Sequence, residues 1–99
     1  MTSRPFSLVT IISEPVVSKE LVTLVKKLGA SGFTLSDVQG EGSGDRASGE
    51  VPDEKTKIEI IADSVLADKI MKTVANQYFK NYSIIVYSSE IKIIRPEKF

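Results

Sequence analysis

Cysteine and histidine are both missing from these 99 residues. Without cysteine there is no disulfide, no thiolate metal site and no thiol nucleophile, which fits a reducing compartment. Without histidine the commonest general base is gone, and zinc sites lacking both residue types are rare. An excess of charge is missing too: 13 Lys and Arg meet 13 Asp and Glu. No basic field is left to neutralise phosphates, so no nucleic-acid partner is expected. No apolar run reaches 18 residues, and the opening MTSRPFS lacks the apolar core of a signal peptide. These absences predict a soluble, cytoplasmic protein. At 41% hydrophobic and 26% charged, the chain has an ordinary globular balance, and its length predicts one domain over residues 1–99.

The pattern predicts six elements. Phe6 to Ile12 is β-branched, short and bounded by prolines, a strand. Ser18 to Leu28 places Leu21, Val22, Leu24, Val25 and Leu28 on one helical stripe. Ser18 is its expected N-cap, Lys26 and Lys27 suit the negative end of its dipole, and Gly29 suits the left-handed position after it. Phe33 to Val38 alternates as a half-buried strand with Phe33 and Leu35 inward. Lys55 to Ile61 sets Ile58 and Ile60 against Lys57 and Glu59. Asp63 or Ser64 caps a second helix, with Asp68 supporting its first turn. Its apolar face runs from Leu66 through Ile70, Met71 and Val74 to Tyr78 and Phe79. Tyr82 to Ile94 is a long last strand, with a bend or bulge at Ser88-Ser89.

The order β-α-β-loop-β-α-β predicts an α+β, ferredoxin-like βαββαβ fold. It has a four-stranded antiparallel sheet, two helices on one face and a long loop between strands two and three. Helices can cover only one face of such a sheet. Yet strand one offers Val9 and Ile11 opposite Phe6, Leu8 and Ile12, and strand four offers Ile85, Tyr87, Ile91 and Ile93 opposite Ile84 and Val86, so the second face is too apolar to stay wet and a homo-oligomer is expected to bury it.

The stretch from Val38 to Pro52, VQGEGSGDRASGEVP, holds four of the six glycines and almost no apolar side chains. Connections longer than about 12 residues in compact domains are usually functional or disordered. The loop reads as the working part of the chain, against the plainer reading of a hairpin connection. Gly40, Glu41, Gly42, Ser43 and Gly44 offer successive backbone N–H groups, a hydroxyl and, at Arg46, a guanidinium. Such a set suits an anion nest for phosphate. The loop also suits insertion into a partner, and a ligand that ordered it would couple the two.

Other uses of this fold lack their residues. The inner strands, SLVTII and TKIEII, carry no aromatic for base stacking. The loop after the first strand, SEPVVS, has no phosphoryl-binding arginine. Asp63 with Asp68, and Glu50 with Asp53 and Glu54, read as caps and solvated loop charges. No nucleophile has a positioned base. An enzyme is not expected, nor a metal site or a tightly bound cofactor.

Three segments, GASGFTLSDVQGEGSGDRASG, KIEIIAD and ANQYFKNYSIIVYSSEI, resemble the PII signalling superfamily, most nearly its PII-like proteins of the SbtB type. That group shows a GA-x-G-[YF]-T strand entry, a G-x-G-S…R…SG loop and an IIY-type last strand, and the resemblance covers about residues 7 to 92. It implies a homotrimer that binds adenine nucleotides (cAMP, AMP, ADP or ATP) as effectors in clefts between subunits. It implies a flexible T-loop at about 40–54 that senses the nucleotide. The implied partner is a membrane bicarbonate transporter of the SbtA type, which would bring the protein to the membrane periphery and into a carbon-concentrating mechanism.

By the same resemblance, Thr34, Gly42, Ser43, Arg46, Ile85, Val86 and Tyr87 are the nucleotide-binding residues. Gly40, Glu41, Gly44, Asp45, Ser48 and Gly49 belong to the partner-binding loop. Arg46 matches a phosphate-facing arginine, and backbone groups at Ile85 to Tyr87 lie by the base. Ser88 and Ser89 are weaker candidates. Three departures stand out. Gly44 replaces a second loop arginine, at a cost of about 1.5–3 kcal/mol for a charge-assisted bond. Ile84 replaces a glycine. The cysteine-containing C-terminal extension is absent at Phe99, so redox switching and nucleotide hydrolysis that depend on it are not expected. The alternatives are a carboxysome-associated PII-like protein sensing bicarbonate with ADP or AMP, and a ligand-free trimeric interaction protein.

Overall fold

The computed structural model describes residues 5–41 and 53–99. Its elements are β1 (Phe6–Ser13), α1 (Ser18–Leu28), β2 (Thr34–Gly40), β3 (Asp53–Asp63), α2 (Ser64–Tyr78) and β4 (Ile85–Ile91). The strands form one antiparallel sheet in the order β2-β3-β1-β4. The two strands with the most continuous apolar pattern, β1 and β3, therefore lie inside, as the ferredoxin-like arrangement requires. Val9 stands opposite Ile60 and Ile11 opposite Ile58. With Leu21 and Val25 of α1 and Ala67, Ile70 and Val74 of α2 they form the core, all at 2% exposure or less. Each such side chain contributes about 1.5–3 kcal/mol by leaving water.

The helix ends show what the local sequence encodes. A 3-10 turn, Pro15–Val17, leads directly into α1. Ser18 is not the N-cap that its residue type predicts, because the turn has already brought its backbone to helical angles (φ −61°, ψ −39°). A capping residue is extended. The Ser18 hydroxyl instead donates to the Pro15 carbonyl at 2.9 Å. At the other end Gly29 takes φ +120°. Its N–H donates to the Lys26 carbonyl and that of Ala30 to the Val25 carbonyl, the paired bonds of a Schellman turn. Asp63 caps α2: its extended backbone lets Oδ1 accept from the Leu66 N–H at 2.8 Å. Asp68 falls beyond the first turn, which contains no acid.

Several element bounds differ from the expectation. β2 continues through Gln39 to Gly40 and β3 begins at Asp53, because Val38, Gln39 and Gly40 pair with Lys55, Glu54 and Asp53. β4 is shorter than Tyr82–Ile94. It pairs only with β1, so it begins at Ile85 opposite Ile12 and ends at Ile91 opposite Phe6. Before it, Tyr82 closes the end of α2 by donating to the Tyr78 carbonyl. Ser88 and Ser89 form no bulge; they face Val9 and Leu8 in unbroken register. Phe33 and Leu35 are not inward. They stand 40% and 48% exposed, because the helices pack over β1, β3 and β4 and leave the β2 edge uncovered. Phe79, at the end of α2, is also 47% exposed.

Candidate functional site

The second face of the sheet carries the site. Cross-strand register fixes which side chains share it. One row runs Thr34, Glu59, Thr10, Tyr87 from edge to edge, and the next runs Ser36, Lys57, Ile12, Ile85. Leu8, Ile61 and Ile91 continue the face away from the β2–β3 hairpin, half-buried in the single chain. Phe6 closes its far end. It is only 2% exposed because the C-terminal turn Pro96–Lys98 brings Phe99 edge-on to it, with ring centroids 6.2 Å apart. Among the described residues no helix covers the middle of this face, and Ile85 and Tyr87 stand 51% and 48% exposed. The expected second apolar face is therefore present, interrupted by Lys55, Lys57 and Glu59 of β3, which share this parity with Asp53 and Asp63 at its ends.

At the hairpin end of this face lies a cleft of about 310 Å³. Ile12, Val38, Ile85 and Tyr87 give it apolar walls. Lys55 and Lys57, two residues apart on β3, bring ammonium groups to one side, and Gln39, Gly40, Glu41 and Ser83 complete the lining. Its size lies at the small end of the range for ligand pockets, roughly 300–1,000 Å³. An apolar wall with an aromatic ring suits a planar base, and paired ammonium groups suit an anion. A perturbed ionisable group occurs instead on the helix side at Tyr78, where burial first, and then the Glu20 carboxylate beside its hydroxyl, hold the phenol above its usual 10.0.

The residues singled out in the sequence fall in different places. Ile85, Tyr87, Gly40 and Glu41 line the cleft. Val86 has the opposite parity and packs half-buried against the core. Only backbone at this position can face a ligand, and β4 is an edge strand whose outer N–H and C=O groups no strand takes up among the described residues. Thr34 sits on the open face at the other edge, on β2. Three strand spacings separate it from β4, about 14 Å, so one chain does not bring Thr34 and Tyr87 to one small ligand. Gly42, Ser43, Gly44, Asp45, Arg46, Ser48 and Gly49 lie outside the described residues. The sequence pattern marks Lys55 and Lys57 only as the polar parity of their strand, and so misses them as site residues. The signal for them is that this parity is the one shared by Ile12 and Ile85.

The family profile described as nitrogen regulatory protein P-II matches residues 6–98. A structure of a PII-like signalling protein from Thermus thermophilus is 34% identical, with a TM-score of 0.82, covering 100% of this chain and 99% of that one. The CPII protein of Thiomonas intermedia K12, bound to ADP and bicarbonate, is 22% identical, with a TM-score of 0.82 and coverage of 99% and 97%. The GlnK–ATP complex of B. subtilis is 22% identical, with a TM-score of 0.70 and coverage of 94% and 90%. The latter two share the fold.

Proposed function

This chain belongs to the nitrogen regulatory protein P-II family, and from that membership we propose that it is a homotrimeric regulator whose effector is an adenine nucleotide. The observation that carries the reading is the cleft at the root of the β2–β3 hairpin, which joins apolar walls and an aromatic ring to Lys55 and Lys57. The base lies against Ile85 and Tyr87, with β4 backbone reading its edge. The phosphates lie toward the hairpin, where Gly42, Ser43 and Arg46 contribute. Thr34, too far to serve the same chain's cleft, serves a neighbouring copy. The nucleotide thereby changes how the loop at 40–49 docks to a partner, which the resemblance to the SbtB type makes a bicarbonate transporter of the SbtA type.

Calorimetric titration with cAMP, AMP, ADP and ATP tests this. The expected result is micromolar binding at one site per chain. Replacing Arg46 with alanine should then weaken the phosphate-bearing ligands by about ten- to hundredfold, one charge-assisted bond's worth, and spare adenosine. Silence with all four nucleotides overturns the reading and leaves a bare interaction trimer.

A second reading adds a small anion. The Thiomonas CPII structures hold bicarbonate with ADP, or acetate with ADP and AMP. If this chain shares that behaviour, bicarbonate raises its affinity for ADP or AMP. An isotherm unchanged by bicarbonate excludes it.

A further inference from the structure

Lys57 and Glu59 are oppositely charged, two residues apart on an inner strand, and both on the face that a trimer would bury. They stand among uncharged groups: Thr10 and Ile12 on β1, Tyr87 and Ile85 on β4, Thr34 and Ser36 on β2. Two other charges stand close by: Lys55, the next residue of this parity on β3, and Glu41, which lines the cleft with Lys57. Both Lys57 and Glu59 are half-buried in the single chain, and among the described residues neither has an ion-pair partner within it. Side chains at i and i+2 of a strand project in parallel from one face, with Cα atoms about 6.7 Å apart. Their ends therefore point outward to whatever covers the face. Covering them without partners would leave two charges desolvated, which is strongly destabilising.

We propose that Lys57 of one copy pairs with Glu59 of the next, so that in the assembled ring Lys57 stands at the edge of the nucleotide cleft with its charge engaged by Glu59, and Lys55 supplies the cation toward the nucleotide. Resting on the trimer reading above, this makes the pair a repeated contact around the ring that fixes how the open faces meet. An apolar face alone sets no register; a charge pair rejects arrangements that bring like charges together.

Complementation between variants tests it. Lys57→Glu leaves two carboxylates on the face, and Glu59→Lys leaves two ammonium groups. Each variant alone should need at least tenfold higher concentration than the unmodified chain to assemble, as read by sedimentation velocity over a dilution series. Mixed in equal amounts, they should assemble better than either alone, because a mixed three-membered ring restores two of the three Lys–Glu contacts and keeps one between like charges. A pair formed within one chain gives no such recovery. Asp68→Lys mixed with Lys69→Glu, exposed positions on α2, carries the same charge changes and should assemble like the unmodified chain whether mixed or not. Recovery of the mixture with this control flat supports the pair. Single variants that assemble normally, or a mixture no better than its parts, overturn it while leaving the trimer intact. A monomeric unmodified chain overturns the trimer reading itself. If the reversals do not fold, Lys57→Gln and Glu59→Gln replace them. The double variant should then assemble no worse than either single one, and additive losses overturn the pair.

Discussion

Two residues show how a single side chain, or its lack, sets local energetics. Gly29 holds φ +120° where α1 turns back toward β2. An added Cβ there would meet only a Leu66 methyl at 3.9 Å, so space is not the constraint and backbone conformation is. Gly29→Ala should cost about 1–3 kcal/mol. Gly32→Ala, whose Cβ would meet nothing within 4 Å, should be neutral or stabilise by up to about 1 kcal/mol through the unfolded chain. Urea unfolding of the two variants separates strain from crowding. Tyr78 is the other case. Its hydroxyl donates to Glu20 Oε1 at 3.5 Å across the two helices. Burial, then the Glu20 charge and hydrogen bond, then Tyr82, raise its pKa above 10.0. The folded state therefore holds this proton more tightly than the unfolded state. The associated stability is complete below about pH 10 and is lost as pH rises through the raised value. Tyr78→Phe should flatten the loss of stability as pH rises above about 10 relative to the parent, measured by urea midpoints.

Among the elements, the helices and the sheet answer to different information. α2 begins where it does because Asp63 ends β3 in an extended conformation and captures the Leu66 N–H. Asp63→Ala should lower stability by about 1 kcal/mol, and Asp63→Asn should retain most of it, as read from denaturant midpoints. The turn at Gly29 is legible in residue type, and the cap is legible to within one residue, Asp63 or Ser64, because each closes hydrogen bonds within a few residues of itself. The start of α1 is not: Pro15 seeds a turn that overrides the capping tendency of Ser18. Strand ends are the least legible. β2 runs to Gly40 despite its glycine because β3 pairs with it there, and β4 stops at Ile91 despite Ile93 and Ile94 because β1 offers no partner beyond Phe6. A strand is as long as its neighbour, and the neighbour is distant in sequence.

For the whole molecule, the question is what covers the open face. Ile85 and Tyr87 stand half exposed there among half-buried Leu8, Ile12 and Ile61. At about 25 cal/mol per Å², covering that surface favours association between copies. Light scattering should give a trimer at micromolar concentration. Ile85→Asp, which puts a charge on the covered face without touching the core, should shift it toward the single chain and leave the far-ultraviolet circular dichroism unchanged. A trimeric Ile85→Asp variant would mean that another surface joins the copies.

The sequence by itself determined the element order, most core positions on β1, β3 and the helices, and the turn at Gly29, because hydrophobic period and capping chemistry are local; it narrowed the α2 cap to Asp63 or Ser64. Alternation along β1 and β4 also showed that both faces of the sheet are apolar, while the helix packing decided that Leu8, Ile12, Ile85 and Tyr87 lie on the open one. Only the tertiary structure decided that Lys55 and Lys57 stand beside Ile85 and Tyr87 in one cleft, that Val86 turns away from it, and that Thr34 lies three strands off. Strand order and register set those relations. They arise from pairings between residues as far apart as 12 and 85, which no local pattern encodes.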